Sequence, residues 1–114
     1  MNQLTVSTTQ KRAIRRIWKS VIVTLGDKHI STITIDSQSA DKTITVENDC
    51  YLLKDKKQII ILSKSRNDEA IICESLKNVT KLTFERIDKG IWQLDFVIYK
   101  NDLNTTYRCN MKLN

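Results

Sequence analysis

Five cationic side chains, Lys11, Arg12, Arg15, Arg16 and Lys19, crowd into residues 11–19 near the start of the chain. Lysine and arginine at that density could neutralise several phosphates, giving nucleic-acid affinity that falls steeply with salt. The same strip could meet an acidic lipid surface or an acidic neighbouring subunit. In its plainest reading it is a solvated helix face. These five are the candidate anion, nucleic-acid or subunit contact. A formal net charge of +6 suits anionic partners, but it equally suits a protein that merely stays soluble.

Other chemistry is sparse. His29 is the one histidine, so neither a Ser-His-Asp arrangement nor a histidine metal cluster has enough pieces, and no nucleophile elbow or phosphate-cradling glycine loop occurs. His29 follows Asp27 and Lys28 just past an expected helix end, where the helix dipole favours a cation, and a solvated role is expected there. Asp68 with Glu69, or Glu85 with Asp95, could be imagined as paired carboxylates. Adjacent residues on a strand point to opposite faces, however, and exposed carboxylates on a sheet usually serve solvation. Cys50, Cys73 and Cys109 are widely spaced with no CxxC, which leaves zinc unsupported. Their odd number leans towards a reducing compartment or one bridge with a spare thiol, and the plainest reading is of buried cysteines acting as small apolar side chains. No catalytic residue, metal or cofactor is expected.

The elements that must position these residues follow from periodicity. From Lys11 to Leu25, Ile14, Ile17, Trp18, Val21 and Leu25 recur at three- and four-residue steps, with Gly26 where a left-handed cap would sit. The five cations fall on the other side within an arc of roughly 140°. A helix over about 8–26 is predicted, its start offered by Ser7-Thr8-Thr9 or lying further upstream through Leu4. Beyond Gly26 the period becomes 2. "HISTITID" sets Ile30, Thr32 and Thr34 against Ser31, Ile33 and Ile35, and "KTITVE" sets Ile44 and Val46 against Thr43 and Thr45. "CYLLK", "QIIILS" and "AIICES" read as short buried strands, the first two separated by "KDKK".

The last third is the most regular. Leu82 and Phe84 lead through "DKG", with Gly90 at the position needing positive φ, into a strand whose Trp92, Leu94, Phe96 and Ile98 share a face. After the polar loop "KNDLN", Tyr107, Cys109, Met111 and Leu113 share a face of the closing strand. The prediction is therefore one domain over 1–114, α+β, with one N-terminal amphipathic helix packed on an antiparallel sheet formed by strands over about 30–113. No run of about 18 apolar residues and no apolar signal stretch occurs, so a soluble chain is expected.

The helix "KRAIRRIWKSVIVTLGD", the pair "TITIDSQSADKTITVEND" and above all "IICESLKNVTKLTFERIDKGIWQLDFVIYKNDLNTTYRCNMKL" carry a likeness over most of the chain. In this order the sequence resembles the soluble part of type IV pilin-like proteins, notably J-type minor pseudopilins of type II secretion and ComGF-like competence pseudopilins. The matching positions are Ile72, Leu76, Asn78, Val79, Leu82 and Phe84, then Trp92 to Ile98, then Tyr107. The resemblance implies a pilin-like fold and a non-enzymatic assembly role among other pilin-like subunits in a pilus, secretion or competence system. It implies an envelope or extracellular setting; without it, a cytoplasmic one is expected. The leader, processing site and apolar membrane half of such proteins are not in this sequence. The resemblance therefore implies an ectodomain trimmed of its membrane segment, with Met1 as an expression start. The alternative function is a small basic domain that binds DNA or RNA through the cationic helix face.

Overall fold

The structure, a computed structural model, describes residues 8–113. Helix α1 spans Thr8–Leu25; Ser7, offered with Thr8 and Thr9 as its start, and Leu4, the alternative upstream start, lie outside the described residues. Ile14, Trp18, Val21 and Leu25 form its buried stripe, as their spacing requires. The Gly26 N–H donates to the Ile22 carbonyl at 2.9 Å, and the left-handed residue that follows is Asp27, at φ 60. Gly26 is thus not the left-handed cap its position suggested. It is glycine for space: a Cβ there would stand 2.5 Å from the Ile22 carbonyl oxygen and 2.6 Å from Lys54 Cγ.

Seven strands follow: β1 Ile30–Gln38, β2 Lys42–Leu52, β3 Gln58–Ser63, β4 Glu69–Ser75, β5 Val79–Asp88, β6 Ile91–Lys100 and β7 Leu103–Leu113. They form one antiparallel sheet in the order β4-β3-β2-β1-β7-β6-β5. Two meanders build it. The first runs outward from β1 to β4; the chain then crosses to the opposite edge and the second returns inward until β7 pairs with β1.

That crossing determines the shape. Strands β4 and β5 are opposite edges, yet only the 3-10 turn Leu76–Asn78 joins them, a link that reaches at most about 14 Å. Flat, a seven-stranded sheet would hold its edges about 29 Å apart at the usual strand spacing. The sheet must therefore curl, and it does so as a half-barrel. Across the concavity, the Tyr107 hydroxyl on β7 donates to Glu74 Oε2 on β4 at 2.7 Å. The concave face holds the core: Ile33, Ile35, Ile59, Ile61, Leu82, Leu94, Phe96, Cys109 and Met111 meet the buried stripe of α1 there.

The expected α+β, pilin-like class is corrected by this arrangement. Among the described residues the chain is mostly β, with seven antiparallel strands curled around one short α-helix. The physical reason lies in the short apolar runs of the middle third. They are full members of the sheet, and a helix of 18 residues, about 27 Å long, packs inside their curl instead of lying as a long rod on a separate layer.

Register produces a second correction. Ser31 is a bulged residue where β1 pairs with β7, and it brings Ile30 onto the same buried side as Ile33 and Ile35. Opposite it, Asp49 takes φ 54 and shifts the phase of β2. Glu47, Cys50 and Leu52 consequently face the core, while Ile44 and Val46 are 61% and 60% exposed. The alternation was real, but its apolar side faces solvent.

Candidate functional site

Two of the five expected cations enter a concave site. Lys11 and Arg15 line a cleft of about 440 Å³ together with Lys56 and Lys57, from the β2–β3 connection, and Lys77, from the 3-10 turn between the sheet edges. Its aliphatic floor includes Ile14, Leu76 and Val79, and Gln58 and Ser75 supply polar edges. Among the described residues, no carboxylate or aromatic ring lines it. Among the described residues, none of these five cations takes part in an ion pair.

The elements that converge here are held firmly. Trp18, 1% exposed, donates its indole N–H to the Asp55 carbonyl at 2.7 Å and so ties the β2–β3 connection to α1. The one carboxylate of that connection, Asp55, is occupied: its Oδ1 accepts from the amides of Lys57 at 2.8 Å and Gln58 at 3.0 Å. The Leu76 amide donates to the Lys57 carbonyl at 2.8 Å, which joins the crossing turn to the same connection. Like charges gathered around one cleft repel, and they do so over about 10 Å at ordinary ionic strength. Local hydrogen bonds therefore hold a cationic arrangement that nothing acidic among the described lining residues offsets.

Arg12, Arg16 and Lys19 stay exposed on α1 and do not line the cleft. The expected five-residue face is thus divided: Lys11 and Arg15 join cations from elsewhere in the chain, and the other three face solvent. Sequence reasoning missed Lys56, Lys57 and Lys77. The visible signal was the basic run "KDKK" between two apolar runs, but nothing local says that it lies beside the helix.

The remaining candidates are separate from this site. His29 Nε2 lies 2.9 Å from Asp49 Oδ1 on the surface. Asp68 accepts from the Tyr51 hydroxyl at 3.1 Å, Glu69 lies 3.7 Å from Arg66, and Asp95 accepts from Gln93 and lies 3.4 Å from Arg108. Cys50 and Cys109 are buried free thiols, whereas Cys73 is exposed, against the expectation of burial for it. Burial pushes the Cys109 thiol up to about 12, with the charge of Asp95 adding to the shift. Among the described residues no helix is long and apolar enough to cross a membrane.

A second surface is the outer part of β2. Strand β3 pairs with β2 only at Cys50–Leu52, so on that side Lys42–Val46 meets no strand among the described residues. Further along, Arg66 from the 3-10 turn Lys64–Arg66 reaches Glu47 at 2.6 Å and covers the edge there. The open stretch carries Ile44 and Val46 on its solvent face. Unpaired backbone beside exposed β-branched side chains is a template for another strand. No family model, no curated protein and no solved structure matches this chain.

Proposed function

We propose that this chain is a non-enzymatic assembly subunit that docks on its neighbours by strand addition along β2. The observation that carries the reading is the open Lys42–Val46 edge with Ile44 and Val46 turned outward. The partner that fits is a second copy. An antiparallel pair centred on Thr45 sets Ile44 of each copy opposite Val46 of the other, on one face, so the segment is self-complementary. Such a contact is small and suits transient or multivalent association, in which neighbouring subunits are held at high effective concentration. The likeness to minor pilins and pseudopilins supports a place in a pilus, type II secretion or competence assembly, with an envelope or extracellular setting. It supports this as sequence likeness alone, since the curled sheet is not the architecture it implied.

The test is self-association measured by sedimentation velocity for the native chain and for Ile44→Lys with Val46→Lys. Concentration-dependent dimers that the double substitution abolishes support the reading. Association unchanged by the substitutions refutes it.

A second reading, a basic domain that binds nucleic acid through α1, is supported by Arg12, Arg16 and Lys19. All three are exposed and outside every ion pair among the described residues. Titration with duplex DNA at two salt concentrations tests it. Affinity that is unaltered by charge reversal of Arg12, Arg15 and Arg16 removes it.

A further inference from the structure

We infer that the cleft between α1, the β2–β3 connection and the Leu76–Asn78 turn is a binding site for a small anion bearing two or more phosphate groups. This goes beyond the assembly reading and rests on different residues. Three segments distant in sequence deliver Lys11, Arg15, Lys56, Lys57 and Lys77 to one concavity, and among the described residues no acidic side chain lines it. A single phosphate would leave most of that charge unmatched, whereas a di- or triphosphate group can meet several ammonium groups and a guanidinium at once.

Size and lining narrow the class. At about 440 Å³ the cleft has the dimensions of a small-molecule site. A duplex presents a convex rod to its partners and cannot enter such a concavity. Single-stranded nucleic acid is normally held by bases stacked on aromatic rings, and among the described residues no ring lines this cleft. Phe96 and Tyr107 instead stack on each other at 4.7 Å within the concave core. Ile14, Leu76 and Val79, all buried, give the cleft an apolar floor, and an apolar surround strengthens each charge-assisted hydrogen bond made above it. The hydrogen bonds from Trp18 to Asp55 and from Leu76 to Lys57 hold the cleft's segments against one another before any ligand arrives.

The experiment titrates the full chain with inorganic pyrophosphate and tripolyphosphate, with sulfate as the singly placed dianion, reading binding heat and backbone amide shifts. Saturable binding at one site is expected, with tripolyphosphate tighter than sulfate and the largest shifts at Lys57 and Lys77. Two charge-matched variants separate a built site from overall charge. Lys57→Gln with Lys77→Gln should weaken tripolyphosphate binding about tenfold or more, and Arg12→Gln with Arg16→Gln by less than about threefold. Equal weakening by both pairs, binding that never saturates, or sulfate binding as tightly as tripolyphosphate overturns the inference. So does an aromatic-free oligonucleotide backbone competitor, such as an abasic phosphodiester chain, that binds the cleft far more tightly than tripolyphosphate, since the ligand would then be a long polyanion. Thermal melts of each variant confirm that folding is retained. Self-association through β2 is measured independently, so failure here leaves the assembly reading intact and the reverse also holds.

Discussion

Replacing Trp18 tests whether the helix is part of the curled core. The side chain is 1% exposed, and a buried tryptophan removes on the order of 200 Å² from water, worth about 5 kcal/mol at 25 cal/mol per Å². Truncation to Ala in folded cores costs about 3–5 kcal/mol. The bond from its indole N–H to the Asp55 carbonyl adds about 1 kcal/mol. Trp18→Ala should therefore cost about 4–5 kcal/mol, a large share of the roughly 5–15 kcal/mol that holds a domain of this size. Because that variant could fail to fold, Trp18→Phe is the companion. It keeps an aromatic ring in the slot and loses the donor, and should cost about 1–2 kcal/mol. Urea unfolding reads both, with the midpoint shifting and the slope unchanged. A loss below about 1 kcal/mol for Trp18→Ala would mean that α1 does not complete the core.

Three further outcomes follow from particular contacts. Gly26→Ala should cost about 1–3 kcal/mol because its Cβ meets the Ile22 carbonyl oxygen at 2.5 Å, whereas Gly90→Ala, at φ 71 with its nearest atom 3.4 Å away, should cost about 1–2 kcal/mol through torsional strain alone; equal recovery of both by Asn would contradict this. Arg66→Ala removes the 2.6 Å partner of buried Glu47 and should cost about 1–3 kcal/mol, most of it recovered by adding Glu47→Gln; no recovery in denaturant unfolding would show that the carboxylate is not the source. Cys109, raised from 9.0 to about 12 by burial, and Tyr107, raised by burial and its bond to Glu74, keep protons in the fold that the unfolded chain releases. Their stability contribution is whole below about pH 9 and falls as pH rises towards 12, by up to about 1.4 kcal/mol per unit for each group. Thermal melts should show this alkaline loss, shallower in Cys109→Ala, and an identical slope in that variant refutes the assignment.

The parts legible in the sequence are those where one local pattern runs unbroken. The α1 stripe was readable because Ile14, Trp18, Val21 and Leu25 are sequential helix neighbours. Strands β6 and β7 were readable because their alternation and pairing run without a register shift, and the turn before β6 because Gly90 indeed takes φ 71; β5 was readable over Leu82–Phe84, between the register shifts at its two ends. The curl was not, since it depends on a three-residue link between opposite edges and on Tyr107 meeting Glu74 across the sheet. Nor was the facing of β2: one left-handed residue, Asp49, shifts its phase, and a pattern of apolar alternation says nothing about which side is in. Three of the five cations of the site were hidden for the same kind of reason, because Lys56, Lys57 and Lys77 reach Lys11 and Arg15 only through tertiary packing.

The assembly reading is tested most directly by amide hydrogen exchange along Lys42–Val46 at low and high protein concentration. Strand addition predicts fast exchange on the open edge in dilute solution and protection at those residues as concentration rises, lost in Ile44→Lys with Val46→Lys. Exchange at that edge that stays fast and independent of concentration, while association continues, would contradict the account.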